Sequence, residues 1–148
     1  MSLAIVALAV MIAAAAILVR WLRGRWLSVT VRGSSMAPTF RDGQRLVVRR
    51  SRAGAALRCG DVIVFALTAD QIASEKTEAI PYRVKRVAAV AGDPVPDWLR
   101  PLATDARVPP GHVVVSGDNP RSQDSRHLGY IDARSIVAVV PAPPPPAG

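Results

Sequence analysis

Residues 82–91 read YRVKRVAAVA, an apolar run that is closed by the turn residues Gly92-Asp93. Successive side chains of a β-strand point to opposite faces, so this run predicts a strand with Arg83, Lys85 and Val87 on one face. The lysine inside the run has two interpretations. It either protects an edge strand from aggregation, or it is buried, in which case its pKa falls from about 10.4 toward neutrality.

Short segments of the same kind surround this strand. Five of them are also predicted to be strands: Ser28–Arg32, Gln44–Arg49, Asp61–Ala66, His112–Ser116 and Ser135–Val140. Gly, Pro and Asp separate them, and this spacing favours a mainly β class with one antiparallel sheet or barrel-like domain over residues 27–140. Residues 69–79 are compatible with a short helix or a loop. Residues 141–148 contain five prolines and are expected to form an extended tail.

The N-terminal segment is apolar and long. Leu3–Val19 contains seventeen residues without a charge, which is close to the length that crosses a hydrocarbon core of about 30 Å. Trp21, Trp26 and the arginines beside them are typical of the membrane interface. A cleaved signal peptide or a buried core helix are the alternatives. No basic side chain precedes the segment in this sequence, and Arg and Trp follow it, so residues 1–26 are expected to be a membrane anchor.

The charge of the chain is strongly basic. Its 148 residues carry 19 Lys+Arg against 11 Asp+Glu, for a net charge of +8. Five arginines between Arg20 and Arg41, with no acid among them, would place the domain on the cytoplasmic side by the positive-inside rule. The basic surface fits either anionic membrane lipid or a solvated face. Nucleic acid is not an expected partner, because aromatic side chains for base stacking make up only 5 % of the residues.

The sequence offers few side chains for metal or redox chemistry. Cys59 is the single cysteine, which excludes an intramolecular disulfide framework. His112 and His127 are far apart and belong to no HExxH or CxxC motif. No metal and no other cofactor is therefore expected.

Two polar segments follow predicted strands. Residues 33–39 read GSSMAPT, and residues 117–126 read GDNPRSQDSR. Each, taken alone, is typical of a polar turn. Together with a buried lysine they point to nucleophilic catalysis, because a neutral amine can accept the proton of a serine hydroxyl. Lys76 is a poor candidate for that amine, since Glu75 and Glu78 would keep it charged.

The chain resembles the type I signal peptidases, which are membrane-anchored Ser-Lys endopeptidases. Four segments in the family's order carry the resemblance: SMAPT at 35–39, GDVIVF at 60–65, YRVKRV at 82–87 followed by Gly92-Asp93, and GDN at 117–119 followed by DSR at 124–126. The resemblance implies that Ser35 is the nucleophile and Lys85 the general base. It also implies that Ser122 hydrogen-bonds the lysine amine.

Further roles come from the same resemblance. Ion pairs would brace the site, and their members would be Arg86, Asp118, Asp124 and Arg126. The oxyanion and substrate region would include Gly33, Ser34, Met36 and Pro38. Within it, the backbone N–H of Ser35 would stabilise the developing oxyanion, and Met36 would line the pocket for a small residue before the cut. The partner would be a precursor protein with an N-terminal leader.

The chain departs from the family's pattern in three places. Gly33 replaces a serine that some members use as an oxyanion donor, and the spacing from Asn119 to Arg126 is one residue shorter than usual. The insertion over residues 94–113 is short, so the chain resembles a minimal-core member. In the family the catalytic domain lies on the extracytoplasmic side of the plasma (inner) membrane, whereas the arginines of this chain favour the opposite side.

Three alternatives to a general signal peptidase stay open. The first is a maturation peptidase dedicated to one precursor, of the type that processes nickel superoxide dismutase. The second is a catalytically inactive, membrane-anchored peptide-binding protein. The third is a self-cleaving regulator of the repressor type, which would need a DNA-binding domain, and the N-terminal segment is too apolar to be one. The oligomeric state does not follow from the sequence.

Overall fold

The computed structural model of the chain describes residues 2–51, 56–68 and 82–141. In chain order its elements are α1 (Ser2–Arg25), β1 (Trp26–Thr30), β2 (Arg45–Arg49), β3 (Val62–Ala66), β4 (Tyr82–Val90), β5 (His112–Ser116), α2 (Ser125–Leu128), β6 (Ile131–Asp132) and β7 (Ile136–Val140), with single 3-10 turns at Arg100–Leu102 and Ala133–Ser135. The expected class, an N-terminal apolar helix followed by a mainly antiparallel β domain, is confirmed. The predictions for residues 69–79 and 142–148 lie outside the described residues.

Helix α1 is long and apolar enough to cross a membrane, judged by its length and composition. Its apolar window is not buried against the rest of the chain, which excludes the interpretation as a core helix. The chain passes from Arg25 directly into β1. Trp26, which the sequence assigns to the anchor, is therefore the first residue of a strand, because its backbone pairs with that of Arg49.

The strands form two sheets. Strands β1 and β2 pair with each other, and a five-stranded sheet has the order β6-β5-β4-β3-β7. All of the pairs are antiparallel. Arg50 and Ala138 form a bridge that connects the two sheets. Strand β4 is the middle strand of the larger sheet, so the interpretation of Lys85 as an edge-strand charge is wrong.

Buried side chains form three clusters. The first lies between the two sheets and includes Val48, Val62 and Val64. The second lies on the other face of the larger sheet and includes Ile63 and Phe65. Strand β3 therefore contributes alternate residues to both clusters, which explains why its sequence is continuously apolar. A third cluster, made by Ala89, Val95, Leu99, Val108 and Val114, packs the connection between β4 and β5 onto the sheet.

Strand β2 offers a matched test of this core. Val48 is 2 % exposed, whereas its neighbour Val47 is 64 % exposed. We expect Val48→Ala to lower the free energy of unfolding by about 2 kcal/mol, because it removes buried methyl groups and leaves a cavity. Val47→Ala should change it by less than about 0.5 kcal/mol. Urea unfolding of the full chain in detergent measures both, and equal losses would contradict the position of β2.

Candidate active site

Ser35 lies in a tight turn after β1. The turn is entered at Gly33, whose φ of +78° lies in the left-handed region that favours glycine. The Gly33 N–H donates to Asp42 Oδ1 at 2.8 Å, and the Ala37 N–H donates to the Ser34 carbonyl at 3.0 Å. The Ala37-Pro38 peptide bond is cis. These contacts define the backbone of the turn and leave Ser35 half-buried on it.

Lys85 comes from the middle of β4 and is 2 % exposed. Its neighbours Val84 and Val87 belong to the first and second buried clusters, so apolar side chains flank the lysine along the strand. Its Nζ donates a hydrogen bond to Ser122 Oγ at 2.8 Å. Ser122 is itself 3 % exposed, and its hydroxyl also donates to the Gln123 carbonyl at 3.3 Å. The contact between Lys85 and Ser122 is thus removed from solvent.

The loop that carries Ser122 is bound to the turn that carries Ser35. The Asn119 N–H donates to the Ser35 carbonyl at 3.1 Å, and Asn119 Nδ2 donates to the Ser34 carbonyl at 3.0 Å. Gly117 makes this approach possible. A Cβ added there would lie 2.0 Å from Ser122 Oγ and 2.4 Å from the Ser35 carbonyl oxygen. The structure therefore brings the Ser35 backbone and the partner of Lys85 together around a glycine.

An ion pair between Arg86 and Asp118 lies next to this contact. Arg86 donates through Nε and Nη2 to the two carboxylate oxygens of Asp118, at 2.8 and 2.7 Å. Both side chains are buried. Arg86 Nη1 also donates to the Gly60 carbonyl at 2.9 Å, and the Thr39 hydroxyl donates to Asp118. One guanidinium thus connects the turn before β3 and the turn of Ser35 with the loop after β5.

The carboxyl of Asp118 is held in its charged form. Burial by itself raises the pKa of Asp118. The hydrogen bonds from Arg86 and Thr39, together with the positive charge of Arg86, outweigh burial, so the pKa lies below its ordinary value of 3.8.

A second ion pair holds the far end of the loop. Asp124 is the N-cap of α2 and accepts from the backbone N–H of Arg126 at 3.1 Å. The Arg126 side chain donates to both Asp124 oxygens, at 2.9 and 2.8 Å. Burial raises the pKa of Asp124, but the hydrogen bonds from Arg126 and Gly117 outweigh it and leave the pKa lowered. Ser125 Oγ accepts from the Val115 N–H at 2.8 Å, which ties the start of α2 to β5.

A cavity of about 30 Å³ adjoins Ser35. Its lining consists of Val31, Arg32, Ser35, Met36, Tyr82, Arg83 and Val84. Met36 is fully buried and forms one wall, whereas Pro38 is exposed. Gly33, Ser34 and Pro38 do not contribute to this lining, although the sequence groups them with Met36.

Sequence reasoning assigned no role to Thr39, Gly117 or the side chain of Asn119. A signal for Gly117 was available, since a glycine directly after a strand is typical of close backbone approach. Thr39 and Asn119 lack such a signal, because their partners Asp118 and Ser34 are 79 and 85 residues away in the chain.

Comparison with known proteins places the chain in a family. The family profile described as "Signal peptidase, peptidase S26" matches residues 2–97 and 96–143. The chain therefore belongs to the S26 family of signal peptidases, which are serine peptidases. Signal peptidase I of Bacillus caldolyticus is 31 % identical to it over an alignment of 145 positions, and the match covers 74 % of this chain and 74 % of the relative. The apolar helix α1 is consistent with a single membrane anchor, as in signal peptidase I.

The buried ion pair makes a pH-dependent contribution to stability. The folded pKa of Asp118 is below the unfolded value, so the contribution is complete above about pH 3.9 and is lost as the pH falls through the folded pKa. We expect Asp118→Asn to lower the free energy of unfolding by about 3 kcal/mol at pH 7, because it breaks the buried ion pair with Arg86. The loss should shrink at lower pH.

Asp97→Asn provides the control. Asp97 pairs with Arg100 on the surface, where the two side chains are 90 % and 65 % exposed. Its replacement should change stability little at any pH. Urea unfolding of both variants at pH 7 and pH 3 tests the difference, and an Asp118→Asn loss that does not depend on pH would contradict it.

Proposed function

We propose that the chain is a membrane-anchored serine endopeptidase that removes N-terminal signal or leader peptides after a small residue. Ser35 is the nucleophile and Lys85 is the general base. One observation carries the proposal: the amine of Lys85 is buried and bonded to Ser122, in a loop whose Asn119 is bonded to the turn of Ser35. Membership of the S26 family independently implies precursor proteins as substrates.

The surroundings of Lys85 suit a general base. Burial among apolar side chains disfavours the charged ammonium and so favours the neutral amine that a general base requires. The neutral amine takes the proton of Ser35 Oγ as this oxygen attacks the scissile carbonyl, and the ammonium then returns the proton to the leaving amine. The Ser35 N–H stabilises the oxyanion. Water then attacks the resulting ester on Ser35. The Lys85 amine takes a proton from this water and returns it to Ser35 Oγ as the ester bond breaks.

Three further groups support this chemistry by position. Ser122 orients the amine, while Arg86–Asp118 and Asp124–Arg126 hold the loop that carries Ser122. The cavity beside Ser35, with Met36 in its lining, measures only about 30 Å³. A side chain bound there before the cut must therefore be small.

A first prediction concerns the two reacting side chains. Ser35→Ala and Lys85→Ala should each abolish cleavage of a leader-bearing precursor, because the nucleophile or its base is gone. Ser28→Ala and Lys76→Ala are the matched controls, since they remove one exposed serine and the chain's other lysine, and both should cleave normally. Gel analysis of precursor processing by the purified full chain measures all four.

The same set separates an active peptidase from an inactive binding protein. An active enzyme loses processing in the Ser35 and Lys85 variants while its thermal unfolding still shows a folded domain. Normal processing by either variant would disprove the mechanism. No processing by the unmodified chain, together with retained precursor binding, would favour the binding protein.

A second prediction concerns Ser122. Ser122→Ala removes the hydroxyl that orients the amine, so kcat should fall about 100-fold with little change in KM, near the lower end of what general-base catalysis contributes. The pH profile of kcat should also shift, because the hydrogen bond to the amine is lost. Gln123→Ala changes the exposed neighbour in the same loop and should have no such effect. An unshifted profile in Ser122→Ala would argue against contact with the base.

We further propose that α1 is the single anchor in the plasma (inner) membrane and that the β domain lies on the extracytoplasmic side. The single cysteine provides the probe, since Cys59 is exposed on the domain. A membrane-impermeant maleimide should label Cys59 in intact spheroplasts as completely as in lysed ones. Labelling only after lysis would place the domain in the cytoplasm, as the arginines of the anchor flank favour.

A further inference from the structure

Two clefts that share Gly24 and Arg25 form a groove between α1 and the end of β2. None of the residues that line it belongs to the turn of Ser35. Its upper part is a cleft of about 630 Å³ lined by Gly24, Arg25, Arg49, Arg50, Ser51 and Val139. Its lower part is a cleft of about 490 Å³ that shares Gly24 and Arg25 and adds Ile17, Arg20 and Trp21. We call the two parts together the anchor groove.

The anchor groove has arginines along its whole length and gains exposed apolar side chains in its lower part. Three arginines, Arg25, Arg49 and Arg50, line the upper part. In residues 2–51, 56–68 and 82–141, no carboxylate forms an ion pair with any of these three arginines. The lower part presents Ile17 and Trp21, which are 68 % and 54 % exposed on the apolar helix. Such an order of charge and apolar surface matches an amphiphile with an anionic head.

The backbone holds the two walls of the upper part together. The Arg50 N–H donates to the Arg25 carbonyl at 2.8 Å, which joins the end of α1 to the end of β2. Arg50 also bridges to Ala138, and the Ser51 N–H donates to the Val137 carbonyl. On the helix side, the Arg25 guanidinium packs over the Trp21 ring at 4.3 Å. The arginines therefore converge because of the fold and not because of their spacing in the sequence.

We propose that the anchor groove binds the phosphate of an anionic membrane phospholipid, with the acyl chains lying along Ile17 and Trp21. Guanidinium groups bind phosphate oxygens through paired N–H donors, which explains why arginines line the upper part. The groove begins where the apolar span ends, at the depth of the headgroups. Gly24 lines both parts, and the space beside it is open, so a large side chain placed there would extend into the groove. The site is independent of the proposed proteolysis.

Fluorescence quenching by brominated lipids tests the proposal. The full chain, with Trp26→Phe and Trp98→Phe so that emission reports Trp21 alone, is placed in phosphatidylcholine vesicles. Equal mole fractions of dibrominated phosphatidylglycerol or dibrominated phosphatidylcholine are then included. We expect at least twofold stronger quenching by the brominated phosphatidylglycerol. Equal quenching by the two lipids would overturn the proposal.

Two sets of variants decide whether the groove is responsible. R25Q/R49Q/R50Q should abolish the preference for phosphatidylglycerol, whereas R100Q/R107Q/R134Q removes the same charge elsewhere and should keep it. An equal loss in both would show an effect of net charge alone and overturn the site. Gly24→Leu fills the junction without changing charge and favours the helix, so it should also reduce the preference. If R25Q/R49Q/R50Q fails to insert into the vesicles, Gly24→Leu becomes the test of the groove. An unchanged preference for phosphatidylglycerol in Gly24→Leu would then overturn the proposal.

A last experiment distinguishes a site for lipid from a site for free phosphate. Inorganic phosphate is added to the vesicles and compared with chloride at equal ionic strength. A lipid site keeps its preference in both salts, because the acyl chains hold the headgroup in place. Loss of the preference in phosphate alone would show a free-anion site and contradict the proposal.

Discussion

Two consecutive basic side chains, Lys85 and Arg86, are buried on the middle strand of the larger sheet, and the rest of the site depends on the polar groups that bind them. Lys85 and Arg86 are adjacent on β4 and are bound by different groups. A buried charge without a partner is costly. The loop after β5 supplies both partners, since Asp118 binds Arg86 and Ser122 binds Lys85. That requirement explains why a polar loop passes over the sheet at this place.

The same requirement positions the turn that carries Ser35. Once the loop reaches both basic side chains, Gly117 allows it to approach the backbone of Ser35, and Asn119 bonds to the turn directly. Arg86 strengthens this connection because it also reaches the carbonyl of Gly60 and lies beside Thr39. The arrangement thus assembles three segments that are distant in the chain around one strand. The proposed catalytic role for Ser35 and Lys85 uses a geometry that the burial of these two basic side chains already requires.

The arginines near the end of α1 can be considered by their position in the chain or by their position in the structure. Counted along the chain they predict a cytoplasmic domain, because the positive-inside rule considers only charge and position. In space, Arg25, Arg49 and Arg50 converge on one cleft at the end of α1. Charges that bind lipid headgroups at a defined site have a local role in addition to any effect on topology. Only Arg25 belongs to both sets of arginines, so the conflict between the charge count and the family topology remains.

Much of the fold followed from the local pattern of apolar residues in the sequence, whereas the exact pairing of the strands did not. The apolar helix was evident from composition, and the strand at residues 112–116 was predicted with its observed bounds, because its turn and its apolar run are unambiguous. Strand β1 begins two residues earlier than expected, since pairing with β2 extends it back to Trp26. Strand β6 was missed because it has only two residues, Ile131–Asp132, and exists only through its contact with β5.

The sequence by itself determined which residues can do chemistry: a serine in a turn, a lysine in an apolar run and a polar loop, in an order that resembles a known family. Only the tertiary structure decided that Lys85 lies on a middle strand and that Ser122 is its partner, because strand order depends on pairings between distant segments. It likewise decided that the arginines of α1 and β2 share one groove. Side-chain identity is local information, whereas burial and proximity arise only when the chain packs.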